Sequence, residues 1–323
     1  MNEKQKNMTK TALIVSVAAG AASLTNYLLT KSLVRIAVDR DEPKVFSKGD
    51  MVFAGAPIDR DFLTTLASAA ERLQKMENEI ITLEAQDGVK LTGHFIPAPH
   101  PKRVIIAMHG WRTAWYKDFG TISDFWYDNG CSVLYAEQRG QNDSEADSMG
   151  FGLTERYDCV RWARWASEEV SSTMPIYLCG VSMGATTVLM AAGLELPENV
   201  RGIIADCGFT SPSAIWEHVA RNNLHITYGI RSVFADMMFR EKNAVGLSEA
   251  STIDALRETM IPVLFIHGTD DHFVPVEMTY DNYLACASPK RLFIVPGADH
   301  GMSHYVAPDQ YEKEVLDFWR EFN

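Results

Sequence analysis

The stretch Ile176-Tyr177-Leu178-Cys179-Gly180-Val181-Ser182-Met183-Gly184-Ala185-Thr186-Thr187-Val188-Leu189-Met190 decides how this chain folds. Its first part, an apolar run bounded by Pro175, reads as a buried strand, and from Met183 onward the Ala, Leu and Met content reads as a helix. A strand that becomes a helix within so few residues must bend sharply. Gly180 and Gly184 let the two backbones pass close together. Ser182 at the apex is then held clear of the sheet, with the free N–H groups of a helix N-terminus behind it, which suits a nucleophile. The pattern Gly-x-Ser-x-Gly alone is cheap: roughly one chain of this length in ten carries it by accident. Its surroundings decide.

Those surroundings are globular. The 323 residues are 46% apolar and 22% charged, enough to bury a large core, which excludes disorder as the default. A net charge of −12 with no basic stripe argues against binding nucleic acid, since that needs Lys and Arg facing phosphates. Five cysteines, Cys131, Cys159, Cys179, Cys207 and Cys286, are odd in number and contain no Cys-x-x-Cys pair. They read as buried thiols rather than a zinc or redox site.

Lys4, Lys6 and Lys10 precede a charge-free run from Ala12 to Leu29, the layout of a secretory signal or signal anchor. Ala19-Gly20-Ala21 offers a cleavage site. An uncleaved single anchor over residues 1–30 is the preferred reading, because Lys31, Arg35 and Arg40 follow at once; a lone amphipathic or buried helix is the alternative. The expected location is membrane-anchored with the catalytic domain extracytoplasmic, although the two basic flanks nearly balance. Residues 31–79 are expected to be a linker plus an amphipathic helix, since Phe62, Leu63, Leu66, Ala70, Leu73 and Met76 recur at helical spacing.

A domain over residues 80–323 follows. Ile80–Ala85 and Val89–Ile96 flank Asp87-Gly88, a two-residue hairpin signal. Strands are expected at 103–108, 131–136, around 176–181, 200–205, 263–267 and 291–295, with helices at 121–127, 154–170 and 311–322. Eight strands interleaved with helices predict a mostly parallel sheet covered on both faces, with ligands beyond the carboxyl ends of the strands. Residues 212–260 interrupt the rhythm and carry Trp216, Phe234, Met238 and Phe239, so they read as a helical cap over the site.

A serine hydroxyl needs a neighbouring base, which needs a group to orient it. Gly268-Thr269-Asp270-Asp271-His272-Phe273-Val274-Pro275 follows one strand, and Gly297-Ala298-Asp299-His300-Gly301 follows the next. Nucleophile, acid and histidine, each just beyond a separate strand, is a recognised order for nucleophilic hydrolysis. Asp270 and Asp206 are rival acids. His304, four residues after His300, lacks the third ligand a metal would require. His109 and His267, each before a glycine at a strand end, read as structural residues satisfied by loop carbonyls. Trp162 and Trp165 read as packing residues.

With His109-Gly110-Trp111, Glu137-Gln138-Arg139-Gly140, Gly180-Val181-Ser182-Met183-Gly184, Gly268-x-x-Asp271-x-x-Val274-Pro275 and Gly297-Ala298-Asp299-His300-Gly301, the chain resembles the α/β-hydrolase superfamily over roughly residues 80–322. Within it the chain is similar to membrane-anchored bacterial serine hydrolases related to serine aminopeptidase. The resemblance implies Ser182 as nucleophile, Asp271 as acid, His300 as base, and the backbone N–H groups of Trp111 and Met183 as the oxyanion hole. It implies no metal and no organic cofactor. Two departures stand out: Gln141-Asn142 replaces a usual His-Gly, and Trp111 replaces smaller residues, which narrows the acyl pocket. The expected activity is hydrolysis of a carboxylic ester through an acyl-enzyme. The alternatives are a peptidase or amidase using the same three residues and, in another class, a non-catalytic binding protein on this fold.

Overall fold

The computed structural model describes residues 23–41 and 60–323. Residues 1–22, most of the expected anchor, lie outside the described residues, and none of the described helices is long and apolar enough to cross a membrane. Eight strands form one sheet: β1 (Glu79–Glu84), β2 (Lys90–Ile96), β3 (Arg103–Met108), β4 (Cys131–Ala136), β5 (Ile176–Val181), β6 (Val200–Asp206), β7 (Val263–Gly268) and β8 (Lys290–Val295). Their spatial order is β1-β2-β4-β3-β5-β6-β7-β8. The hairpin β1–β2 and the pair β2–β4 are antiparallel, and every other pair is parallel. Gly88 in the hairpin turn has φ +84°, a left-handed position that glycine occupies without strain.

Strand alternation sorts the side chains into two layers. Val104, Ile106 and Met108 of β3 join one core, where α5 (Glu155–Trp165), α6 (Met183–Ala191) and α9 (Thr252–Glu258) supply Cys159, Trp162, Leu189 and Leu256, and Cys286 follows the end of α10 (Val276–Ala285). Ile105 and Ala107 join the opposite core with Leu73, Phe119, Trp126, Phe318 and Trp319 from α2 (Arg60–Gln74), α3 (Trp115–Phe119), α4 (Ser123–Asp128) and α12 (Pro308–Glu321). The helix expected over 154–170 is α-helical to Trp165 and ends in a π turn, Ala166–Val170. All five cysteines are free and buried.

A third cluster sits beyond the carboxyl ends of the strands. It joins α7 (Pro212–His218) and α8 (Gly229–Asn243) to Phe151, Met183, Phe209 and Val274, residues that follow strand ends, and to Val34 and Val38 of helix α1, residues 23–38. The short helix α11 (Ser303–Val306) lies beside β7 and α12. Of the interval read as a cap, α7 and α8 belong to this cluster, whereas α9 packs against α6 and α10 on the flank of the sheet.

The close passage at the strand-to-helix bend is severe. A Cβ on Gly184 would lie 1.8 Å from Met108 O, and one on Gly180 would lie 2.3 Å from Gly184 C and O. Gly184→Ala is therefore expected to destabilise the fold by about 3 kcal/mol or more, read as a large fall in melting temperature. Gly229→Ala, where nothing lies within 4 Å of the added carbon, is expected to stay within about 0.5 kcal/mol of the parent.

Candidate active site

Ser182 sits between β5 and α6 with φ 56° and ψ −118°, backbone angles that a non-glycine residue holds only when its surroundings enforce them. Its N–H donates to Asp206 O at 2.9 Å, which ties the bend to the neighbouring strand. The structure brings Ser182, Asp271 and His300 together: Ser182 Oγ lies 2.8 Å from His300 Nε2, and His300 Nδ1 lies 2.7 Å from Asp271 Oδ2. A carboxylate only accepts, so Nδ1 carries a proton, and in the neutral imidazole Nε2 is left to accept from the serine hydroxyl. All three residues are buried.

Asp271 is fully engaged. Oδ1 accepts from the backbone N–H groups of Phe273 at 2.9 Å and Val274 at 2.8 Å, while Oδ2 accepts from His300 and, at 3.0 Å, from His267 Nε2. Burial pushes this carboxyl up, but His300 and the hydrogen bond from His267 outweigh it and hold Asp271 well below the usual carboxylate range. Burial likewise opposes charge on His300, and the Asp271 carboxylate bonded to Nδ1 helps to overcome it, so His300 is raised well above an ordinary histidine.

His267 does more than satisfy loop carbonyls. Its Nε2 faces two acceptors, Asp271 Oδ2 and Val274 O, both at 3.0 Å, so that nitrogen is the donor; Nδ1 then accepts from Thr279 Oγ1 at 2.7 Å. Its spacing of four residues from Asp271 was the available sequence signal. His109 fits the structural reading, with Nδ1 donating to Gly110 O at 2.8 Å and Nε2 lying 3.1 Å from both Gln138 N and the buried Glu137 Oε2. Trp162 lies fully buried in the core, edge-on to Trp165.

The rival residues lie elsewhere. Asp270 is exposed and accepts from Thr269 Oγ1. Asp206 accepts from Ser303 Oγ at 3.0 Å, and burial pushes its carboxyl up to about 6. His304 faces Glu312 at 3.4 Å. Among the described residues one group has converging ligand atoms, Cys207, Asp271 and His300, all within 4.8 Å of one another. That set borrows two members of the Ser182 chain, and burial pushes the Cys207 thiol up to about 11, which disfavours the thiolate a metal needs.

Trp111 and Met183 flank Ser182. Met183 opens α6, so its N–H has no partner within that helix. The loop bearing Trp111 runs against the serine: a Cβ on Gly110 would lie 3.4 Å from Ser182 Cβ. Asp118 pins this loop, accepting from Gly110 N–H at 2.6 Å and Thr113 Oγ1 at 2.8 Å. Trp111 stacks with Phe273 at 6.5 Å between ring centroids, Phe273 meets the His300 ring edge-on at 5.2 Å, and Phe151 lies 6.3 Å from Trp111. An aromatic wall therefore stands beside the serine.

The prolyl oligopeptidase family model matches residues 118–322, the span that carries Ser182, Asp271 and His300. The chain belongs to the prolyl oligopeptidase family. It is accordingly a hydrolase of the α/β-hydrolase superfamily. It is 27% identical over 259 residues to an uncharacterized protein of Bacillus subtilis, YqkD, covering 78% of this chain and 83% of that one. An uncharacterized Escherichia coli protein, YfhR, is 25% identical over 258 residues, covering 74% of this hydrolase and 80% of its relative. Among solved structures, an esterase of Pyrococcus furiosus superposes with a TM-score of 0.61 at 19% identity, covering 84% of this chain and 99% of that one. At that identity the likeness concerns the fold.

The raised His300 sets a pH dependence. If its neutral form assists Ser182, reaction of Ser182 with a fluorophosphonate rises with pH through a midpoint above the ordinary histidine value. In Asp271→Asn the negative charge that favours the imidazolium is gone, so the midpoint is expected to move down while the limiting rate falls by as much as about 10⁴-fold. Labelling rates across a pH series check both.

Proposed function

We propose that this protein hydrolyses a carboxylic ester through an acyl-enzyme on Ser182. The observation that carries the reading is the continuous hydrogen-bonded chain from Ser182 Oγ through the His300 imidazole to Asp271. In the proposed sequence, His300 Nε2 takes the hydroxyl proton as Ser182 Oγ attacks the substrate carbonyl, and Asp271 stabilises the imidazolium. The N–H groups of Trp111 and Met183 receive the charge that develops on the carbonyl oxygen; one such donor is typically worth about 10² to 10³ in kcat. His300 then returns its proton to the leaving alkoxide. Water, deprotonated by the same nitrogen, attacks the acyl carbon; the bond to Ser182 Oγ breaks, Oγ takes the proton back from His300, and the carboxylic acid is released.

The aromatic wall of Trp111, Phe151 and Phe273 supports an apolar acyl group of small or medium size. The second reading, an amide or peptide substrate, is favoured by the family model. A non-catalytic binding role gains no support from a serine, imidazole and carboxylate already in hydrogen-bond register. The N-terminal segment is proposed as a membrane anchor, on the strength of its lysines followed by the charge-free run. Because Tyr27 packs edge-on against Phe234 and Thr30 is buried, such an anchor would hold the hydrolase domain directly against the membrane surface.

Purified protein is expected to take up a fluorophosphonate probe and to hydrolyse p-nitrophenyl esters of short and medium chain faster than aminoacyl-p-nitroanilides. Ser182→Ala is expected to abolish labelling and ester turnover while stability stays within about 1 kcal/mol of the parent. Ester turnover that survives Ser182→Ala would refute the assignment, and faster nitroanilide cleavage would favour the amide reading.

A further inference from the structure

Helix α1 ends against the loop that carries Trp111. A helix C-terminus leaves carbonyls without intrahelical partners and bears a partial negative charge. Here two of those carbonyls are taken by consecutive residues of the site loop. Trp111 Nε1 donates to Ala37 O at 2.7 Å, Arg112 Nε and Nη2 donate to Ile36 O at 3.0 and 2.8 Å, and Arg112 Nη2 donates to Asp39 O at 2.5 Å. Arg112 itself has φ +52°, a left-handed conformation that a non-glycine residue holds only when its surroundings enforce it. Its N–H donates to Gln141 Oε1 at 2.5 Å, and Asn142 Nδ2 donates to Thr113 O at 2.8 Å.

The same segment is tied to the loop after β4 and to α8. Met149 N–H donates to Val38 O at 2.8 Å, and Arg40 N–H to Asp147 O at 2.9 Å. The Arg40 guanidinium donates to Ser144 O and Asn142 O, both at 2.5 Å. Lys242 of α8 pairs with Asp39 at 2.7 Å. Asn142, one of the positions at which the sequence departs from its superfamily, thus bridges this segment and the Trp111 loop, while its neighbour Gln141 holds the Arg112 N–H.

We propose that residues 36–40 form a strap that holds the Trp111 and Arg112 side chains and so fixes the Gly110–Trp111 peptide, making the N-terminal helix a positioning element of the hydrolytic site. The inference rests on the serine-hydrolase reading, in which the Trp111 N–H receives the oxyanion. The strap's residues act through that peptide and do not touch the reacting atoms. Its effect falls on the tetrahedral state, because a loosened loop still admits a planar ester but no longer presents its N–H where negative charge develops.

The test compares full-length protein with Arg112→Ala, which removes the clamp on Ile36 and Asp39, and Trp111→Phe, which removes the bond to Ala37 and trims the indole to a smaller aromatic ring. Each folded variant is expected to lose about tenfold or more in kcat on a p-nitrophenyl ester, with KM within about twofold. Binding of an alkylboronic acid, which becomes tetrahedral on Ser182, should weaken by the same factor as kcat/KM, while inhibition by the planar carboxylic acid product stays unchanged. Should Arg112→Ala not fold, Trp111→Phe carries the test. Folded variants with parental kcat and boronate affinity overturn the strap alone. Wild-type protein that neither labels with a fluorophosphonate nor turns over esters overturns the serine-hydrolase reading, and the strap with it.

Discussion

Strand β5 and helix α6 pass so close at Gly180 and Gly184 that no side-chain carbon fits between them, and Met108 of the adjacent strand closes the same gap. This contact forces the bend that holds Ser182 at φ 56°. The strain is local and the surrounding structure supports it: β5 and α6 are buried almost throughout, and Ser182 N–H is bonded to Asp206 O. Without that passage the hydroxyl would have no fixed position toward which the loops after β7 and β8 could converge.

The electrostatics follow from the same geometry. Burying a carboxylate is costly unless its lone pairs are satisfied. Asp271 meets the condition with two backbone N–H groups, His267 and His300, all within 3.0 Å. His267 supports the carboxylate from behind, inside β7, and leaves His300 as the partner on the serine side. Arg139 acts in a comparable way for the scaffold. Its guanidinium makes two 2.6 Å bonds to Asp158 and one to Asp87, joining the loop after β4 to α5 and to the first hairpin turn.

Much of this could be read from local pattern. The strands over 103–108 and 131–136 appear at their expected bounds, because apolar runs flanked by turn residues carry a strong signal when both faces of a sheet are covered. The trio Ser182, Asp271 and His300 was readable because each follows a strand and because the chain order is distinctive. Long-range contacts were not readable. The bonds between Trp111 or Arg112 and helix α1 span more than seventy residues, and no periodicity reports them. That is why residues 31–40 read as a linker, although they finish a helix docked at the site. The short α3 was missed because Trp115–Phe119 is too brief to show a period. His267 read as structural because sequence gives its strand end but not which of its nitrogens faces the carboxylate.

The chemistry proposed here requires a covalent bond between the substrate's acyl group and one particular oxygen. Acid-quenched mass spectrometry of the protein within its first turnovers of a p-nitrophenyl ester measures this most directly. A mass increase equal to the acyl group is expected, confined to the peptide that contains Ser182 and accompanied by one equivalent of p-nitrophenol. Ester consumption with no adduct on that peptide, or with the acyl group on another side chain, would contradict that chemistry.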